Sequence, residues 1–482
     1  MIRFILILLV FIYSNLSKGQ EQLSLHLENH SGINSIPINP ANSFLSPHKW
    51  DVNIVSAGLF FENNYGFFRN TNTIKLYKNR NNSIIELDST KYGKTSYSPN
   101  TILLDLYDRK KPSYIFLSGN LTGPSFSLKI NKISSIGFIS RLRMLGGVPK
   151  IPKELGYYDY YNKAFFQSFP ISSFNSGFIS WHEYGINYTK NIKGLTHNTI
   201  LGATIKYLRG NEAMFFENKH TFQFQQMPND SIAALDRLDF RYAYTHSNLK
   251  SQSFKFKHNG TGISGDFGIT VVFGENIKDF KARLGVSILD IGFINFNRNS
   301  FRYSISVDTT VAISINAFKE IKQLSHVDSV SEILSRQIYN DPTKSLTANS
   351  FVMWLPMALS IQFDYSISKL FYINGTLIQR IKPKGHSVTR RNLFALSPRF
   401  EHRWFSASTS LVVYDWKDLR LGASVRLAYL TIGSDNLLSV LSNQTRFTGS
   451  DLYVGLKFNP FSLGKKRRRH PNLNRKIKCY KF

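Results

Sequence analysis

Five charged residues, Arg420, Arg426, Lys457, Asp266 and Asp364, sit at positions where strict alternation turns them to the same side of a strand as small polar neighbours. In LRLGASVRLAYL (419–430) the odd positions are Leu419, Leu421, Ala423, Val425, Leu427 and Tyr429, while the even ones include Arg420, Gly422, Ser424 and Arg426. A period of two is that of a strand. Guanidinium groups on one face and alkyl groups on the other suit a soluble sandwich with an apolar core. They also suit a membrane barrel whose apolar face meets lipid and whose cations face a wet lumen. In a barrel, Arg420, Arg426 and Lys457 would lie on adjacent strands, with Asp266 and Asp364 facing the same interior. Such charges either fill and rigidify the lumen or form an anion-selective constriction. Asp290, inside an otherwise apolar strand, points to an inward bend or bulge.

Other chemistry finds little support. The twelve histidines are dispersed, without the spacing a metal site needs, so no metal or cofactor is expected. Ser180 with His182, and Gly385-His386-Ser387, offer Ser–His pairs of the kind a barrel hydrolase would use. In a serine-rich chain such pairs arise by chance, and no enzyme is expected. Glycine-rich phosphate loops are absent.

The elements that would position these charges are strands throughout. Aromatics make up 14% of the 482 residues, which favours strands over helices. Alternation recurs at Phe126–Ile130, Ile136–Met144, Tyr184–Tyr188, Leu201–Tyr207, Leu238–Tyr244, Phe267–Phe273, Leu284–Ile288, Met357–Tyr365, Phe371–Leu377 and Phe405–Val413. These strands span about nine to eleven residues, the length that crosses a bilayer when tilted. Short turns at 131–135 and 366–369 contrast with long connections at roughly 77–112, 145–176, 209–236, 296–352 and 381–392, the rim asymmetry of membrane barrels. Within the longest, VDSVSEILSRQIY (327–339) has the spacing of a short helix. The expected fold is therefore all-β: a transmembrane antiparallel up-and-down barrel of about 14 strands (range 12–16), with long extracellular loops. Leu452, Val454, Leu456 and Phe458 carry the barrel-closing signal, because counting back from Phe482 meets Lys478 and Lys476.

The ends add four segments. Residues 1–19, with Arg3, an apolar run from Phe4 to Tyr13, and Ser17 and Gly19 before the cut, read as a cleaved secretory signal. Residues 20–49 form an N-terminal periplasmic or plug segment, 50–461 the barrel, and 462–482 a basic tail. Net charge is +29, and Lys465–Phe482 holds nine Lys and Arg with no acid. The tail is either solvated or an electrostatic contact with an anionic surface. An export signal argues against nucleic acid as a partner. The lone Cys479 has no intramolecular disulfide partner.

The chain resembles a family of Bacteroidota outer-membrane barrels whose domain has no assigned function. The likeness rests on SIPINPANSF (35–44), GDFGITVVF (265–273), RLGVSILDIGFINF (283–296), WLPMALSIQFDYSIS (354–368), LGASVRLAYLTIGSDNLLSVL (421–441) and GSDLYVGLKF (449–458). The first of these is also similar to the N-terminal hatch of long-chain fatty-acid transporters. The resemblance implies a cell outer-membrane location, insertion by the barrel-assembly machinery and contact with outer-membrane lipid. It also implies a plug at Asn39, Pro40 and Ala41. By analogy with hatch-bearing barrels, the expected function is passage of small or hydrophobic molecules across the outer membrane. The alternative is a non-transporting scaffold or partner-binding component of a secretion or surface assembly, meeting protein partners through its long loops or basic tail.

Overall fold

A computed structural model describes residues 21–79, 84–87, 101–227, 232–247, 255–274, 277, 279–318 and 327–460. The signal-peptide reading at 1–19, the basic tail at 462–482 and Cys479 lie outside the described residues. Fourteen strands close a transmembrane antiparallel barrel. They are β1 (Trp50–Asn63), β2 (Ser113–Thr122, continuing through Ser125–Lys129), β3 (Ser134–Ile151), β4 (Phe174–Lys193), β5 (His197–Asn218), β6 (Gly260–Phe273) and β7 (Ala282–Phe296). They continue with β8 (Ala358–Ser366), β9 (Phe371–Arg380), β10 (Leu393–Glu401), β11 (Phe405–Tyr414), β12 (Asp418–Leu427), β13 (Leu430–Ser434) and β14 (Gly449–Phe458). Closure is the β1–β14 ladder, which runs from Val52 opposite Phe458 to Glu62 opposite Gly449.

The wall obeys its alternation. On β14, Leu452, Val454 and Phe458 are exposed on the outside while Asp451 and Tyr453 are buried inside. On β12, Leu421, Val425 and Leu427 are exposed and Arg420 and Arg426 buried. An outward apolar face and an inward polar one, with no free sheet edge, is the arrangement hydrocarbon demands of a strand protein. The stretch 419–430 is not one strand, however. Ala428 has φ 52° and turns the chain, so Leu430 already belongs to β13. As a result β13 stands between β12 and β14, and Lys457 is not on a strand adjacent to Arg420 and Arg426. Asp290, with φ 58°, lies in a bulge of β7 where the register against β6 shifts, and its side chain is buried.

Six short connections lie at one rim, where β1 starts and β14 ends; the far rim carries the long connections and the short turn 415–417. Strands β3, β4 and β5 run 18, 20 and 22 residues, beyond the expected nine to eleven, so parts of the expected loops 145–176 and 209–236 are wall. The apolar inner side chains of this extension are covered by the connections packed on them. Leu145, Ile179, Trp181, Leu208 and Phe215 meet Phe351, Met353 and Val388 in one buried cluster. The far rim also carries two four-stranded sheets and the helix α1 (Val327–Tyr339).

Candidate functional site: the lumen and its N-terminal segment

Residues 21–48 descend through the barrel from the far rim to the rim where β1 begins. Leu23 packs against Ala358, Ile378, Leu393 and Tyr414 at the far-rim ends of β8–β11, and Phe44 packs with Val272 and Phe280 at the opposite ends. Between them, Ile33 and Ile36 touch Ile139. The path is built from short turns, because the lumen leaves no room for a long helix.

The Asn-Pro-Ala step shows how it is seated. Asn39 caps the 3₁₀ turn Pro40–Leu45, its side-chain oxygen accepting from the Ala41 amide at 3.0 Å, and Pro40 has no amide hydrogen to satisfy. The Asn39 Nδ2 donates to Gln362 Oε1 at 3.0 Å, Thr270 Oγ1 at 3.2 Å and the Ile269 carbonyl at 3.3 Å. Asn187 Nδ2 donates to the Pro40 carbonyl at 3.2 Å, and Ser43 Oγ to Asn187 Oδ1 at 2.8 Å. The wall makes way with glycines. A Cβ on Gly202 would stand 2.3 Å from the Ala41 nitrogen, and one on Gly268 would stand 2.1 Å from Asn39 Oδ1. Asn39 and Ala41 are wholly buried.

All five charges read from the sequence face inward, and each meets an opposite charge. Arg420 donates to both oxygens of Glu62 at 2.9 Å and lies 4.1 Å from the Tyr414 ring. Arg426 donates to Glu28 at 2.7 Å, and Lys457 stands 3.6 Å from Asp51 while donating to the Ser31 carbonyl at 2.6 Å. Asp364 accepts from Arg283 at 2.7 Å and from Arg399 at 2.8 Å. Asp266 pairs with Lys206 at 2.8 Å, and Lys206 with Asp290 at 2.8 Å. Arg143 grips Asp290 with both nitrogens at 2.8 and 3.0 Å. Arg426 and Lys457 thus hold the segment, while Arg420 ties β12 to β1. Charges neutralised in pairs, each with hydrogen bonds, are the form in which buried ions are tolerated.

The partners Glu62, Lys206, Arg283, Arg399, Glu28 and Asp51 were not singled out from sequence. Alternation alone could have flagged Lys206, lodged between Ile205 and Tyr207, and Glu62, at the inward phase of β1. Glu28 lies outside any repeating element and offers no such signal.

Two histidines of the segment are buried neutral. Burial pushes His26 down to about 4 and His30 down to about 3. His26 Nδ1 bonds the Asn34 carbonyl, and His30 Nδ1 lies 3.2 Å from His48 Nε2.

The serine–histidine pairs do not meet. His182 Nδ1 bonds Asn211 Oδ1 at 3.1 Å, and His386 stacks on Phe215 at 3.7 Å while Ser387 Oγ donates to the Val388 carbonyl at 3.2 Å. Among the described residues no group of three or more His, Cys, Asp or Glu could hold a metal ion.

Interior space is scarce. Beside the segment lie cavities of about 40, 30 and 20 Å³, room for single waters. Above it, at the far rim, a vestibule of about 1530 Å³ opens among the far-rim ends of β1–β4, β9 and β12 and the connections there, with Arg390 and Arg391 on its lining. Arg390 donates to Glu21 at 2.7 Å, so the head of the segment meets the vestibule floor.

Among solved structures, the chain is similar to the Pseudomonas putida toluene transporter TodX, at 9% identity and TM-score 0.40 over 89% of this chain and 94% of that one. It is similar to a Pseudomonas aeruginosa FadL homologue at 9% identity and TM-score 0.26, over 92% and 99%. It is also similar to the Escherichia coli outer membrane protease OmpT at 8% identity and TM-score 0.22, over 86% and 98%. No curated protein matches. Residues 43–435, most of the barrel, match one family profile, and the chain belongs to that family, the Family of unknown function DUF5723.

Proposed function

We propose that this protein is an outer-membrane barrel that passes small solutes when its N-terminal segment leaves the lumen. The observation that carries the reading is the seat of that segment. Hydrogen bonds and ion pairs at Asn39, Glu28 and Ser43 fix its place against the wall, beside smaller apolar contacts at Leu23, Ile33, Ile36 and Phe44. Water can replace the polar contacts on both surfaces, and only the apolar ones cost about 25 cal/mol per Å² to rewet. The wall behind the segment is charged, so the cargo such a path suits is small and polar. An apolar molecule would have to cross the Arg143–Asp290, Arg399–Asp364 and Arg420–Glu62 pairs. Export through the signal at residues 1–19 and insertion among outer-membrane lipids by the barrel-assembly machinery belong to the same reading.

Planar-bilayer conductance of the refolded barrel, with and without residues 21–47, tests it. A steady current in the shortened chain alone is expected; silence from both would overturn the reading. The second reading, a non-transporting scaffold or partner-binding component, is favoured by the filled interior together with the far-rim elaboration around α1. It predicts that silence and a protein partner held through the long loops or the basic tail.

A further inference from the structure

The vestibule is lined by charge of one sign. Nine Lys and Arg side chains line it, against two carboxylates, Asp415 and Asp418. Both carboxylates are already engaged by Arg391, at 2.7 and 2.8 Å. Arg390 and Arg391 are satisfied from below by Glu21 and Glu62, and Arg380 stands 3.8 Å from Asp415. Arg109, Lys111, Lys150, Lys382, Lys417 and Arg446 remain, all exposed and with no described carboxylate at ion-pair distance. Six like charges around one concavity repel one another, and concave low-dielectric walls focus their field on whatever enters. Every lumen charge discussed above has its counter-ion, whereas these six have none among the described residues.

A second observation narrows the ligand. Asp415 and Trp416 both have positive φ, 43° and 60°, in the two central positions of the β11–β12 turn. Such a turn ordinarily selects Asn-Gly or Asp-Gly, and a bulky residue there is strained. The strained residue is a tryptophan, 61% exposed, on the cavity lining. An exposed indole beside cations is a platform for a sugar ring. The volume, about 1530 Å³, exceeds the range of roughly 300–1,000 Å³ usual for small-ligand pockets, and suits several linked units rather than one free ion.

We propose that the far-rim vestibule binds an anionic saccharide, with a ring against Trp416 and its phosphate, sulfate or carboxylate groups against Lys382, Lys417 and their neighbours. The proposal is independent of whether the barrel conducts. The saccharide's source is either a soluble oligosaccharide or the sugar headgroup of an outer-leaflet lipid.

The test is titration of the full folded chain in detergent with short dextran sulfate, followed by tryptophan fluorescence and by calorimetry, with neutral dextran and inorganic phosphate as controls. Saturable binding of the sulfated oligomer is expected, with none of neutral dextran and at least tenfold weaker binding of phosphate. Lys382→Glu with Lys417→Glu should weaken binding by tenfold or more, and Trp416→Ala should abolish the fluorescence change while the barrel keeps its unfolding midpoint. A parallel arm with vesicles carrying lipopolysaccharide separates the sources: competition with dextran sulfate there assigns the headgroup, and its absence the soluble sugar. Unchanged affinity in the double variant would place binding elsewhere, on the basic tail for instance, and overturn the proposal. Equal binding of neutral dextran would overturn it as well.

Discussion

The lumen and the vestibule are lined by the same residue types, yet they solve opposite problems. Below, arginines and lysines meet carboxylates singly or in shared pairs: Arg426 with Glu28, Arg420 and Arg391 with Glu62, Arg399 and Arg283 with Asp364. Above, six cations share a cavity without counter-ions among the described residues. Desolvation explains the difference. A charge buried beneath the segment cannot persist unpaired, while one at a water-filled mouth can. A barrel can therefore spend paired charge on closure and unpaired charge on recognition, within one wall.

The sharpest way to break that contrast is to unpair the lumen. Glu62→Ala leaves Arg420 and Arg391 without their shared carboxylate, and a loss of about 3–5 kcal/mol is expected, read as a lower urea midpoint of the detergent-folded barrel. Asn39→Ala acts more locally. It strands the acceptors on Gln362, Thr270 and Ile269, and should loosen the segment by about 1–3 kcal/mol. Limited proteolysis within 21–47 should quicken while the barrel midpoint stays. Unchanged cleavage would mean that the Asn-Pro-Ala turn is not what seats the segment.

Acid should act in the same place. His26 and His30 have pKa values below the free value of about 6.5, so their contribution to seating is complete above pH 6.5. It is lost as pH falls toward about 4 and 3, because protonation then favours the released, hydrated segment. Protease access to the segment should rise across that window, and His26→Gln with His30→Gln should flatten the rise. The smallest effect belongs to the vestibule. Lys417→Gln should leave stability within about 0.5 kcal/mol, since no buried partner is orphaned. A larger loss would reveal a counter-ion and erase the contrast.

What the sequence disclosed follows the reach of its signals. Periodicity is a local property: alternation carried the strands, the fourteen-strand closed barrel and the inward phase of Arg420 and Asp364, and helical spacing carried the helix at 327–339. Closure at Leu452–Phe458 was legible because lysines break the phase beyond it. Pairing across the lumen was not legible. Glu28 reaches Arg426 over a sequence gap of 398, and no period links them. The turn at Ala428 was missed because its flanking residues keep the apolar phase through the bend, which hid β13 and misplaced Lys457 beside Arg420. The long β3–β5 extension was missed because its inner residues are covered by connections that alternation cannot see.

The central claim is that the segment, and not the wall, closes the barrel. Gly202→Val tests it with the chain at full length. The new side chain would occupy the place of the Ala41 backbone, 2.3 Å from its nitrogen even at Cβ, while valine suits the strand that carries it. A silent wild-type barrel, and a steady single-channel current from Gly202→Val at an unchanged unfolding midpoint, is the predicted result. A variant that stays folded, releases its segment to protease and still carries no current would contradict the account, because the wall itself would then be shut.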